Sequence, residues 1–219
     1  GLSIAKLLRR RFIFDARGFW IDERIDLGTI CKASIEYRMW RFLEKILFSH
    51  SDAIVVLTSA MHKELVTIGI PPQRITVIPT CVDTTLFKPL KRKRKSILIY
   101  VGSLGERYLV KEMKTFFAYI KEKAKEFQFI ILTNNPESIQ DDTTIHVEKV
   151  SHDAVPEKLS EAAAGIGFVQ KSFASRGSCM TKVGECLACG IPFVTNSGIG
   201  DYDQLLEKEK VGVVVKELS

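Results

Sequence analysis

No apolar run in this sequence approaches the roughly 20 residues that a membrane-spanning helix needs. The opening residues, GLSIAKLLRRRF, also lack the apolar core of a secretion signal. Cysteine is scarce and odd in number: five in 219 residues argue against a disulfide framework and for free thiols in a reducing compartment. Histidine is scarcer, and His50, His62, His146 and His152 stand at no metal-ligand or catalytic spacing, so helix ends and surface positions account for them. There is no repeat and no low-complexity tail.

What is present is a globular composition. With 46% hydrophobic residues the chain can bury a core and make one or two domains. The net charge of +6 suits nucleic acid, anionic lipid or a phosphorylated substrate, and does not choose among them. Apolar stretches of strand length (RFIFDA, SDAIVVL, RITVIP, SILIYVG, FQFIILT, TIHVE, AGIGFV, PFVT, VGVVV) alternate with stretches of helical spacing, notably 30–48, 59–66, 111–126, 153–163 and 182–189. RGFWIDERIDLG reads as a loop. Such alternation predicts an α/β fold, a Rossmann-like parallel sheet with helices on both faces.

The densest chemistry lies in SCMTKVGECLACGIPFVTNSGIGD, residues 178–201. Ser178 and Thr181 stand where a helix N-cap belongs, Gly190 and Pro192 end the helix, and Gly198-Ile199-Gly200 turns the chain before Asp201. A helix N-terminus offers amide donors and positive dipole to an anion, and Lys182 adds a full charge there. Glu185, three residues on, shares its face and suits ligand hydroxyls. A second phosphate-compatible turn, Gly102-Ser103-Leu104-Gly105, follows the strand ILIYV. Glycine after a strand is also ordinary turn chemistry; the two turns together at one sheet edge favour a ligand site.

These residues resemble the donor-sugar half of the group 1 (family four) glycosyltransferases, which have the two-lobed GT-B fold. The resemblance rests on Glu185, Leu187, Ala188, Gly190, Ile191, Pro192 and the GIGD turn. It extends to RITVIPTCVDTTLFKP, similar to the family's hinge with Thr80 and Cys81 replacing an Asn-Gly pair, and to ILIYVGSLGERYLVKEM, similar to its first donor-domain strand and loop. It implies three parts: residues 1–80 as the C-terminal remnant of an acceptor-binding N-terminal domain, 81–95 as hinge, and 96–219 as the donor domain. The chain is then expected to be a fragment of a two-lobed enzyme. The implied reaction is retaining transfer of a hexose from a nucleoside-diphosphate sugar to a hydroxyl acceptor, in cell-surface polysaccharide or glycoconjugate synthesis. It needs no metal and no further cofactor. The family's Glu at the ribose matches Glu185. Its other Glu, eight positions earlier, is Gly177 here, and the serine-lysine-glutamate variant of the pattern fits Ser178, Lys182 and Glu185 better. Ser103 takes the place of the family's loop arginine, and neither Arg107 nor Lys111 aligns, so Lys182 is expected to carry most of the phosphate charge as the catalytic cation.

Other features have plainer readings. Cys186 and Cys189 lie within one helix and read as small buried hydrophobes. Asp201-Tyr202-Asp203 imitates a metal-binding Asp-x-Asp, but acids at a helix start suit the dipole without metal. The run KPLKRKRK, six cations in residues 88–95, fits a solvated linker or peripheral contact with an anionic membrane face; no aromatic platform accompanies it for nucleic acid. Asp15, Arg17, Arg176, Gly198 and Gly200 are candidate cleft residues. For Asp15 and Arg17, beside Trp20, a pair holding the loop explains the residues equally well, and Arg176 and Lys171 also read as solvated loop cations. A cytoplasmic location is expected. Two other functions remain compatible: a GT-B sugar-nucleotide enzyme of epimerase type, and a non-catalytic nucleotide-binding or interaction module.

Overall fold

The structure is a computed structural model that describes residues 1–105, 107–139 and 145–218. Glu106 of the stretch ILIYVGSLGERYLVKEM and Thr144 of TIHVE lie outside the described residues. In chain order the elements are α1 (Leu2–Leu7), β1 (Ile13–Ala16), α2 (Trp20–Asp26), α3 (Ile35–His50), β2 (Ala53–Val56), α4 (Ser59–Thr67), β3 (Ile75–Val77) and β4 (Ile97–Val101). Then come α5 (Val110–Lys123), β5 (Gln128–Leu132), β6 (Ile145–Glu148), α6 (Val155–Glu161), β7 (Ala164–Gly167), α7 (Thr181–Ala188), β8 (Phe193–Asn196), α8 (Tyr202–Lys208) and β9 (Gly212–Val215).

The chain forms two compact units. The first holds residues 1–80, 171–179 and 198–201, and the second holds 81–170, 180–197 and 202–219. In the first, β1, β2 and β3 make a parallel sheet in that order. Phe48 of α3 and Met61 and Leu65 of α4 pack on Ala16, Ile54 and Val56 of the strands. The short segments 171–179 and 198–201, which the sequence placed with the donor domain, join this unit through α4. Arg176 accepts at its carbonyl from Thr58 Oγ1, and Asp201 accepts from Ser59 and Ala60 N–H at 2.6 and 3.2 Å.

The second unit is a six-stranded parallel sheet in the order β6-β5-β4-β7-β8-β9. Its strands are near-continuous apolar runs because both faces are covered. Met113 and Phe117 of α5 pack on Leu98, Tyr100, Phe129 and Ile131, while α6 packs on β4 and α7 on β7 and β8. Chain order reverses between β4 and β7, so loops from the two halves diverge there and leave a crevice at the carboxyl ends of the strands. The expected α/β fold, with a parallel sheet between helices, is the fold observed.

Local chemistry shifts several element ends. Residues 20–26, read as loop, form α2, whose Asp22 and Glu23 lie in the first turn. The helix expected from Ile30 starts at Ile35, because the Ser34 hydroxyl accepts from Tyr37 N–H and caps it. Thr58, not Ser59, is the N-cap of α4: its backbone is extended and its hydroxyl accepts from Met61 N–H. Neither Ser178 nor Thr181 caps α7; Met180 holds the cap position and Thr181 is the first helical residue. The far end of α7 matches the expectation. Gly190 is left-handed (φ +74°), its N–H reaches Leu187 O, and Ile191 N–H reaches Cys186 O.

Half of the 88–95 cations are tied down. Arg92 pairs with Glu157, Lys95 with Glu161, and Arg94 donates to the Gly190 carbonyl. Cys186 and Cys189 are free and buried, with the Cys186 sulfur packed over Gly165, where a β-carbon would stand 2.5 Å from it.

Candidate functional site

A cavity of about 300 Å³ opens at the carboxyl ends of β4 and β5 and the start of α7, at the sheet's reversal point. Gly102 and Ser103 leave β4 and Leu132, Thr133 and Asn134 leave β5 to form one wall; Thr181, Lys182 and Glu185 of α7 form another. Two segments 80 residues apart thus meet because parallel strands deliver their C-terminal loops to one edge. Of the sequence candidates, Gly102, Ser103, Thr181, Lys182 and Glu185 line this cavity.

Lys182 is its centre. The residue is 7% exposed, and its Nζ donates to Tyr100 Oη at 3.0 Å while lying 4.2 Å from the Tyr100 ring centroid and 3.7 Å from that of Tyr108. The Tyr100 hydroxyl in turn donates to the Ser103 carbonyl, joining the lysine to the glycine turn. Burial brings the Lys182 ammonium down to about 7, with Cys186 and Glu185 opposing. Burial pushes the Glu185 carboxyl up, against the attraction of His152 and Lys182. It also pushes the Tyr100 phenol and the Cys186 thiol up, so both stay neutral. Among the described residues, no carboxylate lies within ion-pair distance of Nζ.

Gly102 is required by geometry. Its φ of +138° suits glycine alone, and a β-carbon there would stand 2.9 Å from Lys182 Nζ. Three remaining candidates of this set lie elsewhere. Leu104 packs against the α5-side core, Gly105 borders open space, and Ser178 belongs to the first unit, where its carbonyl fills the position a Gly200 β-carbon would take.

The cleft candidates are all in the first unit. Asp15 and Arg17 line a separate, largely apolar cavity of about 750 Å³ with Trp20, Trp40 and Glu44. Arg176 pairs with Glu64 and carries its guanidinium over the Phe173 ring. Gly198 and Gly200 are left-handed (φ +82° and +51°) and form a corner: Ser175 Oγ donates to Gly198 O, and Gly200 N–H donates to Ser175 O. Asp201 is occupied by the first-turn amides of α4.

Sequence reasoning missed Tyr100, Tyr108, Thr133, Asn134 and His152. Thr133 and Asn134 follow a strand end, so the strand-terminus rule used for Gly102 would have found them. Tyr108 carried no local signal. It is brought in by a bridge to Val169 and by the Leu109 N–H to Phe168 O hydrogen bond. His152, read as a surface residue, lines the cavity with its ring 5.2 Å from that of Phe87.

Fold and site together define a doubly wound α/β protein with a cavity at its sheet's reversal point, and the comparisons sharpen the class. Residues 6–86 match the family profile described as Glycosyltransferase Family 4. No curated protein sequence matches the chain. The fold is that of the GT-B glycosyltransferases. HepE of Anabaena, solved in complex with UDP and glucose, superposes with a TM-score of 0.72 at 11% identity, over 99% of this chain and 60% of its own. Sucrose-phosphate synthase of Thermosynechococcus elongatus gives 0.68 at 13% identity, over 100% of this chain and 59% of its own. The lipopolysaccharide outer core galactosyltransferase WaaB gives 0.52 at 19% identity, over 71% and 46%. The chain therefore spans about three fifths of HepE and of the synthase, and its likeness to the GT-B fold extends through both units.

Proposed function

We propose that this chain is the donor-binding part of a glycosyltransferase, with a nucleoside-diphosphate sugar held in the Lys182 cavity. The observation that carries this reading is the meeting of the Gly102–Ser103 turn, the start of α7, Lys182 and Glu185 around one cavity at the sheet's reversal point. HepE, of similar fold, was solved with UDP and with UDP-glucose, which supports a uridine diphosphate sugar as the first donor to try.

In this reading the diphosphate lies against the Gly102–Ser103 backbone and the first turn of α7. Lys182 Nζ supplies the full positive charge, and Glu185 accepts from the ribose hydroxyls. As the bond from the sugar carbon to the diphosphate breaks, negative charge grows on the leaving phosphate, where fixed amides and an ammonium in a water-poor cavity stabilise it most. Lys182 thereby acts as the catalytic cation, and Asp201, engaged with α4, leaves the Asp-x-Asp pair with a structural task. The transfer is of a hexose to a hydroxyl acceptor with retention, and needs no metal. A role in cell-surface polysaccharide or glycoconjugate synthesis draws support from the WaaB likeness.

We place the protein in the cytoplasm at the membrane face. Among the described residues no helix is long and apolar enough to cross a membrane, and Lys91 and Lys93 remain available to anionic lipid at about 1 kcal/mol each.

Calorimetry with UDP-glucose, UDP and uridine tests the donor site, and labelled UDP-hexoses with lipid and glycoside acceptors test transfer. Binding of the diphosphates at least tenfold tighter than uridine is expected. Equal affinity for all three would remove the phosphate site.

A further inference from the structure

We propose that Tyr100 and Tyr108 are positioning residues that hold the Lys182 amine dehydrated between their rings, so that a sugar nucleotide enters the cavity together with a proton from solvent. The inference rests on the donor-site reading for its ligand, but the state of the free amine is testable without one.

The box is built from four sides. Nζ stands 4.2 and 3.7 Å from the two ring centroids, which meet edge to face at 70°. Backbone stands on two further sides: a β-carbon on Gly102 would lie 2.9 Å from Nζ, and one on Gly167 of β7 would lie 3.4 Å from Cδ, while the remaining side faces the cavity. Of the amine's hydrogens, one goes to Tyr100 Oη, whose own hydrogen is committed to the Ser103 carbonyl. Among the described residues, the titratable groups facing Lys182 are Tyr100 from β4, Tyr108 from the segment before α5, and Glu185 and Cys186 from α7 itself. β7 contributes backbone alone at Gly167. The phenol of Tyr100 and the thiol of Cys186 are held neutral by burial, and Glu185 stands outside ion-pair distance.

Among the described residues, the unliganded box therefore offers the ammonium two π faces and the Tyr100 hydroxyl where water would offer a full shell. The rings offset part of the dehydration cost and leave the rest. A diphosphate supplies a counter-charge. The amine lone pair takes up one solvent proton, and the charge-assisted hydrogen bond to phosphate oxygen forms. Lysine suits this task and arginine does not, because a guanidinium keeps its proton. The burial-lowered ammonium, at about 7, agrees with the geometry.

UDP-glucose is the probe, since its diphosphate diester does not titrate between pH 6 and 9 and any proton taken up lands on the protein. Calorimetry in buffers of different ionisation enthalpy should show uptake near one proton per ligand at pH 8.5, falling toward zero at pH 6. Affinity should drop about tenfold per pH unit above 7. Lys182→Arg should abolish the uptake, His152→Gln should retain it at pH 8.5, and Tyr108→Leu, which opens the box to water, should shrink it and flatten the affinity profile. Tyr108→Phe, which keeps the ring face, should retain the uptake. A purely structural role for the tyrosines would instead lower affinity equally at every pH. Independently, a ¹³C titration of the Lys182 ε-carbon in the free chain, assigned by its loss in Lys182→Arg, should have its midpoint near 7. A midpoint near the ordinary lysine value overturns the proposal. Failure of UDP-glucose to bind, with the ε-carbon midpoint still near 7, overturns the donor reading alone.

Discussion

Gly102 and Lys182, 80 residues apart, are fitted so closely that a β-carbon on the glycine would stand 2.9 Å from the lysine Nζ. The turn after β4 and the first turn of α7 are therefore one site, and a change in either displaces the other.

Gly102→Ala tests that fit. The alanine methyl meets Nζ and also has to adopt a φ of +138°, which costs about 1 to 3 kcal/mol. We expect a drop in thermal midpoint together with at least tenfold weaker UDP binding. Gly105→Ala, in open space, should change neither. Equal effects from the two substitutions would argue against the shared site.

Lys182→Ala removes a charge-assisted contact worth roughly 1.5 to 3 kcal/mol. The loss should fall on UDP and leave uridine nearly unchanged. Titration calorimetry with the pair separates a phosphate contact from general damage, which would weaken both ligands alike.

Stability should also depend on pH through Lys182. Its ammonium sits at about 7 in the folded chain and at the ordinary lysine value when unfolded. Between those limits the unfolded chain binds the proton that the folded chain has released, so folding becomes more favourable as pH rises across that window. Below about 7 both states hold the proton and the full dehydration cost stands. Lys182→Met, similar in volume and uncharged, should stabilise the chain by roughly 1 to 4 kcal/mol at pH 6.5, with the gain shrinking toward pH 10. Urea denaturation at the two pH values measures it, and a pH-independent difference would contradict the shift.

Glu185→Gln keeps shape and weakens the acceptor. If the carboxylate holds the ribose, 2′-deoxyuridine diphosphate should lose little further affinity in the variant, whereas it loses several-fold in wild type. Additive losses in a four-way binding comparison would place Glu185 away from the sugar.

Asp201 should prove to be a helix cap. Its carboxylate takes the Ser59 and Ala60 amides while Thr58 takes that of Met61, so the first turn of α4 is satisfied. Asp201→Ala should cost about 0.5 to 2 kcal/mol and Asp201→Asn much less, with neither sensitive to chelators in a melting experiment. A chelator-dependent midpoint would revive the metal reading of Asp201-Tyr202-Asp203.

The sequence by itself determined the fold class and named residues on both walls of the candidate cavity. Apolar strand runs and helical periodicity are written into local stretches, and Gly102, Lys182 and Glu185 carry chemistry that is legible residue by residue. The Gly190 helix end was equally local, because a left-handed residue closing α7 needs only its own neighbours. Tertiary structure decided what depends on distance along the chain. Met180 displaced Ser178 from the cap of α7, and segments 171–179 and 198–201 found their hydrogen-bond partners on α4 of the first unit. Above all, the rings that enclose Lys182 come from β4 and from the segment before α5. No spacing in the sequence announces them, since a cation is dehydrated by whatever the parallel sheet stacks around it, and that is settled only when strands 66 residues apart, such as Leu98 of β4 and Ala164 of β7, have paired.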